Sequence, residues 1–210
     1  MIDTAFLITT FVTMFVVIDP IALAPLFVAL THGMNAAARR RIAARACVIG
    51  ALVLLAFAFF GEALMGFVGI SMPAFRVAGG ILLFLTALDM LFERRTKRRH
   101  DSSEPEADHR DPSVFPLAIP LIAGPGAIAS IILLMGERPT LEGGVMVLGT
   151  TAVVMAILML SLETSGLIER ALGTTGISVV TRLFGMLLAA LSVQFVLDGL
   201  TAFGFGPGAG

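Results

Sequence analysis

A chain of 210 residues with 57% hydrophobic residues, 14% charged residues and a mean hydropathy of +0.97 lies outside the composition of a soluble globular domain. Its formal net charge of −1 carries no signature of nucleic-acid binding. One cysteine, Cys47, and three histidines exclude an intrachain disulfide and a Cys/His zinc cluster.

Apolar runs of about 20 residues, the length that crosses the hydrocarbon of a bilayer, recur along the chain and leave room for about six spans. The first runs over 5–30. No basic residue precedes it, so it reads as a retained span and not as a cleaved signal. In its middle stands Val17-Ile18-Asp19-Pro20-Ile21-Ala22-Leu23-Ala24-Pro25. Each proline removes a backbone donor and clashes one turn back, which predicts a broken or kinked helix. Backbone freed at membrane depth is tolerated where protein or a water-filled cavity satisfies it.

A turn at 31–35 leads to Arg39, Arg40, Arg41 and Arg45, and then to a second span at 46–68. Gly69 to Pro73 is a tight connection to a third span at 74–91. The polar segment 93–112, basic and then acidic, reads as a charged cytoplasmic linker, too polar to order itself. The fourth span, 114–135, contains Pro120-Leu121-Ile122-Ala123-Gly124-Pro125-Gly126, a second proline break. The fifth span covers 145–167, a turn covers Gly173 to Gly176, and the sixth span covers 179–203 ahead of a tail at 206–210.

Six spans place both termini on one side. The loops after spans one, three and five carry eleven of the fourteen basic residues, against Arg138 alone in the loops of the other face. The positive-inside rule then puts both termini outside the cytoplasm.

The second half of the chain echoes the first. Pro20 and Pro25 return as Pro120 and Pro125 at an offset of 100. Arg76 and Gly79 return as Arg182 and Gly185, and Thr86 meets Ser192, at an offset of 106. Three spans per half is an odd number, so the second half enters the membrane from the opposite side. The predicted fold class is therefore an all-α membrane protein: six transmembrane helices as two inverted-topology repeats of three, 1–92 and 113–205, with broken helices one and four.

At this level of detail the chain resembles the MarC family. The resemblance is carried by the Asp19-Pro20 segment, Ile119 to Ala127, Phe75 to Leu82, and Arg182 to Asp198. Where that family usually carries Gly-Asn after Asp-Pro-Ile, this chain has Ala22-Leu23. The resemblance implies a multi-pass protein of the bacterial inner membrane, both termini periplasmic, that transports small neutral amino acids such as glycine or alanine. It implies H⁺ or Na⁺ coupling, or exchange, and no further cofactor. Partners are then membrane lipids and the amino acid, with oligomers compatible and no nucleic acid.

The candidate site gathers at the two breaks. A resumed half-helix offers unpaired amides and a positive dipole end. For a substrate carboxylate these are the amides of Gly126, Ala127 and Ile128, with Pro120, Gly124, Pro125 and Ser130 shaping the break. Asp19 is the most informative residue, because a carboxylate at membrane depth costs about 2.5–3.5 kcal/mol and must face protein or water. Flanked by Pro20 and Pro25, it serves as a helix cap, a partner to a substrate ammonium, or a proton or Na⁺ ligand. Thr86, Ser192 and Gln194 are polar groups within spans that can bond a neighbouring helix or a substrate. Glu62 and Glu163, late in spans two and five, are coupling candidates or interfacial side chains. No catalytic constellation stands out, so an enzyme is not expected. An exporter of another solute or drug, and a non-transporting membrane scaffold or regulator, are the alternative readings.

Overall fold

The computed structural model describes residues 3–92 and 111–205; most of the expected linker, with its basic cluster, and the expected tail lie outside the described residues. Among the described residues the chain is helical, with no strand. The helices are α1 (Thr4–Ile18), α2 (Pro20–Leu30), α3 (Ala36–Val68), α4 (Met72–Leu91), α5 (Ser113–Ile122), α6 (Pro125–Glu137), α7 (Leu141–Glu163) and α8 (Ser165–Ala202). Five spans are long and apolar enough to cross a membrane, one of them Thr4–Leu30. The count is six if α5 and α6, bent by 52° at their junction, form one.

Local chemistry sets the helix ends. Asp3, Asn35, Ser71 and Thr140 each accept an amide three residues on, which satisfies a first-turn donor. Gly69 closes α3 at φ 81°, a left-handed position that suits glycine. The Asn35 cap explains why α3 starts ten residues before the expected span at 46–68. An apolar run marks the part of a helix inside the hydrocarbon, and the arginine-bearing first turns extend beyond it. The turn expected at Gly173 to Gly176 is likewise absorbed into α8, which leaves helical geometry only at Gly173, φ 60°.

In α5, Pro112, Pro116 and Pro120 recur every four residues, so the i→i−4 ladder cannot be completed. Phe115 and Ile119, each preceding a proline in a cis peptide, are extended. Past the first turn, amides reach five residues back, Leu117 to the Pro112 carbonyl at 3.4 Å and Ala123 to the Ala118 carbonyl at 2.9 Å.

α1 and α2 form the centre of the bundle. In the most apolar 18-residue window of Thr4–Leu30, 61% is buried, against 28–39% in the other single-helix spans. α6 joins them there, with Ala129 to Leu134 buried throughout. Around this centre, α4 and α8 run antiparallel in close contact: Gly80 meets Ser192 and Val196, while Gly199 meets Pro73 and Val77. The outward faces are apolar, with Phe60, Phe67, Leu141 and Leu167 exposed, as suits side chains facing lipid.

Candidate functional site

The chain leaves helical geometry at Asp19, φ 55° and ψ 67°, the only described non-glycine residue with positive φ. Two local rules meet here. A residue before proline is disfavoured in the right-handed helical region, and Asp is among the few residues that tolerate the left-handed one. The Asp19 amide still donates to the Phe15 carbonyl at 2.9 Å, and its Oδ1 accepts the Ala22 amide at 3.2 Å, capping α2. The whole residue is buried. Pro20 is buried beside it, whereas Pro25 lies within α2 without ending it.

Two residues before Asp19, Val17 lies against the first turn of α6. A β-carbon on Gly126 would stand 3.3 Å from Val17 Cγ1 and 3.3 Å from Thr86 Oγ1 of α4. The α1–α2 junction, the start of α6 and the middle of α4 thus converge. Gly124 caps α6 without a side-chain acceptor, and its α-carbon passes so close to Pro120 that a β-carbon would stand 2.5 Å from that carbonyl oxygen. Gly126 and Ala127 are buried in this uncapped first turn. One turn further, Ser130 is fully buried, and its hydroxyl has no hydrogen-bond partner among the described residues.

The other residues singled out in the sequence scatter. Ile128 is half-buried, and its amide is not free as expected, because it closes the first helical bond of α6 to the Gly124 carbonyl at 2.9 Å. Pro120 and Pro125 are exposed, whereas the residues between them, Leu121 to Gly124, and Gly126 and Ala127 beyond them are buried. Ser192 is buried, but its hydroxyl donates back to the Ala189 carbonyl at 2.7 Å. Gln194 is exposed and bonds Asp198 at 2.8 Å. Glu62 and Glu163 are exposed at opposite ends of the bundle, Glu163 paired with Arg40 at 2.9 Å.

Sequence reasoning passed over three further buried hydroxyls without a described partner: Thr10 and Thr13 of α1 and Thr181 of α8. The spacing of Thr10 and Thr13, three residues apart within an apolar run, was a usable signal for one polar face on α1. An unsatisfied buried hydroxyl costs about 1–3 kcal/mol, so a water or a polar solute would be stabilised beside such groups.

Also missed was the charged end formed by Asp3, Arg76, Glu137, Arg138 and Asp198. Arg138 pairs with Asp3, and Glu137 lies within electrostatic reach of Arg76, Asp198 and Arg138. Outside the spans, the Phe6 amide and then Arg138 hold the Asp3 carboxyl below its ordinary range. The hydroxyl and amide of Ser113, with Arg45, do the same for Asp111.

A buried aspartate at an interrupted span stands here among the motifs the sequence shares with one family. Residues 4–203 match the profile described as MarC family integral membrane protein. The chain belongs to the MarC family. Among similar MarC-family relatives is a UPF0056 membrane protein of Methanocaldococcus jannaschii, 42% identical over 199 residues, which are 93% of this chain and 86% of the relative. One from Aquifex aeolicus is 37% identical over 195 residues, covering 92% and 91%. One from Bacillus subtilis is 35% identical over 199 residues, covering 93% and 94%. No solved structure matches the chain.

Proposed function

We propose that this MarC-family protein is a secondary transporter of small neutral amino acids, glycine- or alanine-like, working by alternating access in the inner membrane. The observation that carries the proposal is the full burial of Asp19 at the α1–α2 junction, with Val17, two residues before it, against the first turn of α6, which has no side-chain cap. A carboxylate attracts an ammonium, and a helix N-terminus attracts a carboxylate. A small zwitterion is the solute that uses both. In this reading Asp19 meets its ammonium, the amides of Gly126 and Ala127 meet its carboxylate, and Thr86 and Ser130 line the space between. Little free volume at Gly126 favours a small side chain. H⁺ or Na⁺ coupling, or exchange, would act through Asp19.

The machinery is two inverted three-span repeats, 1–92 and 113–205. Besides the sequence echoes, the major helix contacts support this, while α1 against α6 and against α8 has no comparable counterpart in α5 against α2 and against α4. Exchanging the halves turns α2 against α8 into α6 against α4. It turns α1 against α7 into α5 against α3, and α2 against α7 into α6 against α3. The pairs α4 with α8 and α3 with α7 map onto themselves. Such exchange is what a two-fold axis in the membrane plane produces. The end bearing Arg39, Arg40, Arg41 and Arg45 is cytoplasmic in this reading, and the termini are periplasmic.

Reconstituted protein in proteoliposomes is expected to exchange labelled glycine, alanine or serine saturably, and Asp19→Asn is expected to abolish the flux. Absence of any saturable, Asp19-dependent flux for all three would overturn the amino acid reading.

A further inference from the structure

Two cavities mark opposite ends of the antiparallel α3–α7 pair. One, of about 270 Å³, is lined by Arg39 and Arg40 in the first turns of α3 and by Glu163 at the end of α7. The other, of about 300 Å³, is lined by Glu62 late in α3 and by Arg138 and Thr140 just before α7. Glu62 and Glu163 are 101 positions apart, close to the offset that relates the two halves. Each cavity is therefore framed in the same way, by an acid late in one helix and a base near the start of the other.

The two ends differ in who pairs with whom. At the first, Arg40 Nε lies 2.9 Å from Glu163 Oε1, and Arg39 donates to Ser165 Oγ at 3.0 Å with its guanidinium 5.6 Å over the Phe27 ring. That end is tied across α3 and α7. At the second, Glu62 makes no ion pair with any described residue. The base that frames its cavity, Arg138, is turned to Asp3 and sits 5.0 Å over the Phe6 ring of α1. The pair corresponding to Arg40–Glu163 is thus unmade.

We infer that Arg138 is a partner-switching gate residue, leaving Asp3 for Glu62 when its end of the α3–α7 pair closes, while the Arg40–Glu163 pair opens at the other end. The inference rests on the two-fold related halves of the proposed transporter. If exchanging the halves exchanges the inward- and outward-open states, the pairing at one end describes the other end in the second state. The energetics suit a gate: each exposed ion pair biases an equilibrium by about two- to fivefold, so swapping one pair for another leaves both states accessible.

The test reads accessibility and not flux. In full-length protein carrying Cys47→Ser and reconstituted in liposomes, maleimide labelling rates are measured for Ala58→Cys, lining the Glu62 cavity, and for Ala43→Cys, lining the Glu163 cavity. Asp3→Asn keeps an oxygen to cap the Phe6 amide but releases Arg138. It is expected to slow labelling at position 58 and speed it at position 43, each about two- to fivefold. Glu163→Gln is expected to move both rates in the same directions, and Glu62→Gln added to Asp3→Asn should cancel the effect. Unchanged rates, both rates moving the same way, or an Asp3→Asn effect that survives Glu62→Gln would each overturn the gate. Reciprocal labelling without amino acid flux would remove the transport reading and keep the gate. Asp19-dependent flux without reciprocity would do the reverse.

Discussion

Gly80 of α4 and Ser192 of α8 hold their helices at backbone contact: a β-carbon on Gly80 would stand 2.8 Å from the Ser192 carbonyl oxygen and 3.0 Å from the Val196 amide nitrogen. The obstacle is backbone, which cannot rotate aside. Gly199 faces the same constraint from the Pro73 carbonyl at 3.0 Å. Lipid tails are as apolar as the core, so association of these helices relies on close packing. Gly80→Ala and Gly199→Ala should each destabilise the fold by about 1–3 kcal/mol. Gly66, within α3 with nothing beyond its own stretch of helix within 4 Å of its would-be β-carbon, is the control, and Gly66→Ala should be neutral or slightly stabilising. With no Trp or Tyr in the chain, the readout is the monodisperse fraction remaining after heating in detergent.

At Asp19, fold and proposed function separate by choice of substitution. Asn tolerates the left-handed backbone and caps a helix nearly as well as Asp, so Asp19→Asn should retain thermal stability while losing amino acid flux. Asp19→Ala removes the oxygen that accepts the Ala22 amide and should cost about 1 kcal/mol of stability as well. Equal flux in Asp19→Asn and the unaltered protein would assign the residue to capping alone.

Gly124 and Gly126 also answer different questions. A methyl at Gly124 meets the Pro120 carbonyl oxygen at 2.5 Å, whereas one at Gly126 meets only side chains, at 3.3 Å. Gly124→Ala should therefore lower stability by about 1–3 kcal/mol. Gly126→Ala should fold and, in the transporter reading, raise the half-saturating concentration of glycine because the methyl occupies the space beside Thr86. Thermal stability and concentration-dependent uptake, measured on both variants, separate the two effects.

Two carboxylates set an acid limit on the bundle's ends. Asp3 is held below its ordinary value of 3.8 chiefly by the Phe6 amide, and Asp111 below the same value chiefly by the Ser113 hydroxyl. A depressed folded-state value means that the ionised form favours the fold. The stabilisation is present above the unfolded value and is lost as pH falls through the lower folded one. Stability should therefore be insensitive to these groups between about pH 5 and 8 and should decline below about pH 4. In a double variant carrying Asp3→Asn and Asp111→Asn, that part of the acid decline should be absent from a pH series of melting curves.

Much of the helical plan was readable because its causes are local. The position of the Asp19 interruption follows from a proline that disfavours helical geometry just before it and an aspartate that tolerates the left-handed region, whereas Pro25 leaves α2 intact. The start of α3 was misread because hydropathy finds the hydrocarbon boundary, while Asn35, a capping residue, finds the helix end. The break of the fourth span is legible in Pro120 and Pro125, but the π-type bonding of α5 is not, because it comes from the four-residue recurrence of Pro112, Pro116 and Pro120 within an apolar run. Thr10 and Thr13 were legible in spacing yet unremarkable in polarity, and only their burial without described partners distinguishes them.

By itself the sequence determined that this is a helical membrane protein, roughly where each span lies, and that a carboxylate and a proline interrupt the first. Tertiary structure decided that Asp19 is buried at the centre while Pro120, Pro125 and Gln194 are exposed, and that Val17, Thr86 and Gly126 meet. It also decided that Arg138 pairs with Asp3 and not with Glu62. The reason lies in the solvent. In water, polarity separates the outside of a helix from its inside, so periodicity reveals which face is buried. In a bilayer both faces are apolar, and only the close approach of particular glycines and the pairing of a few polar groups tell one from the other.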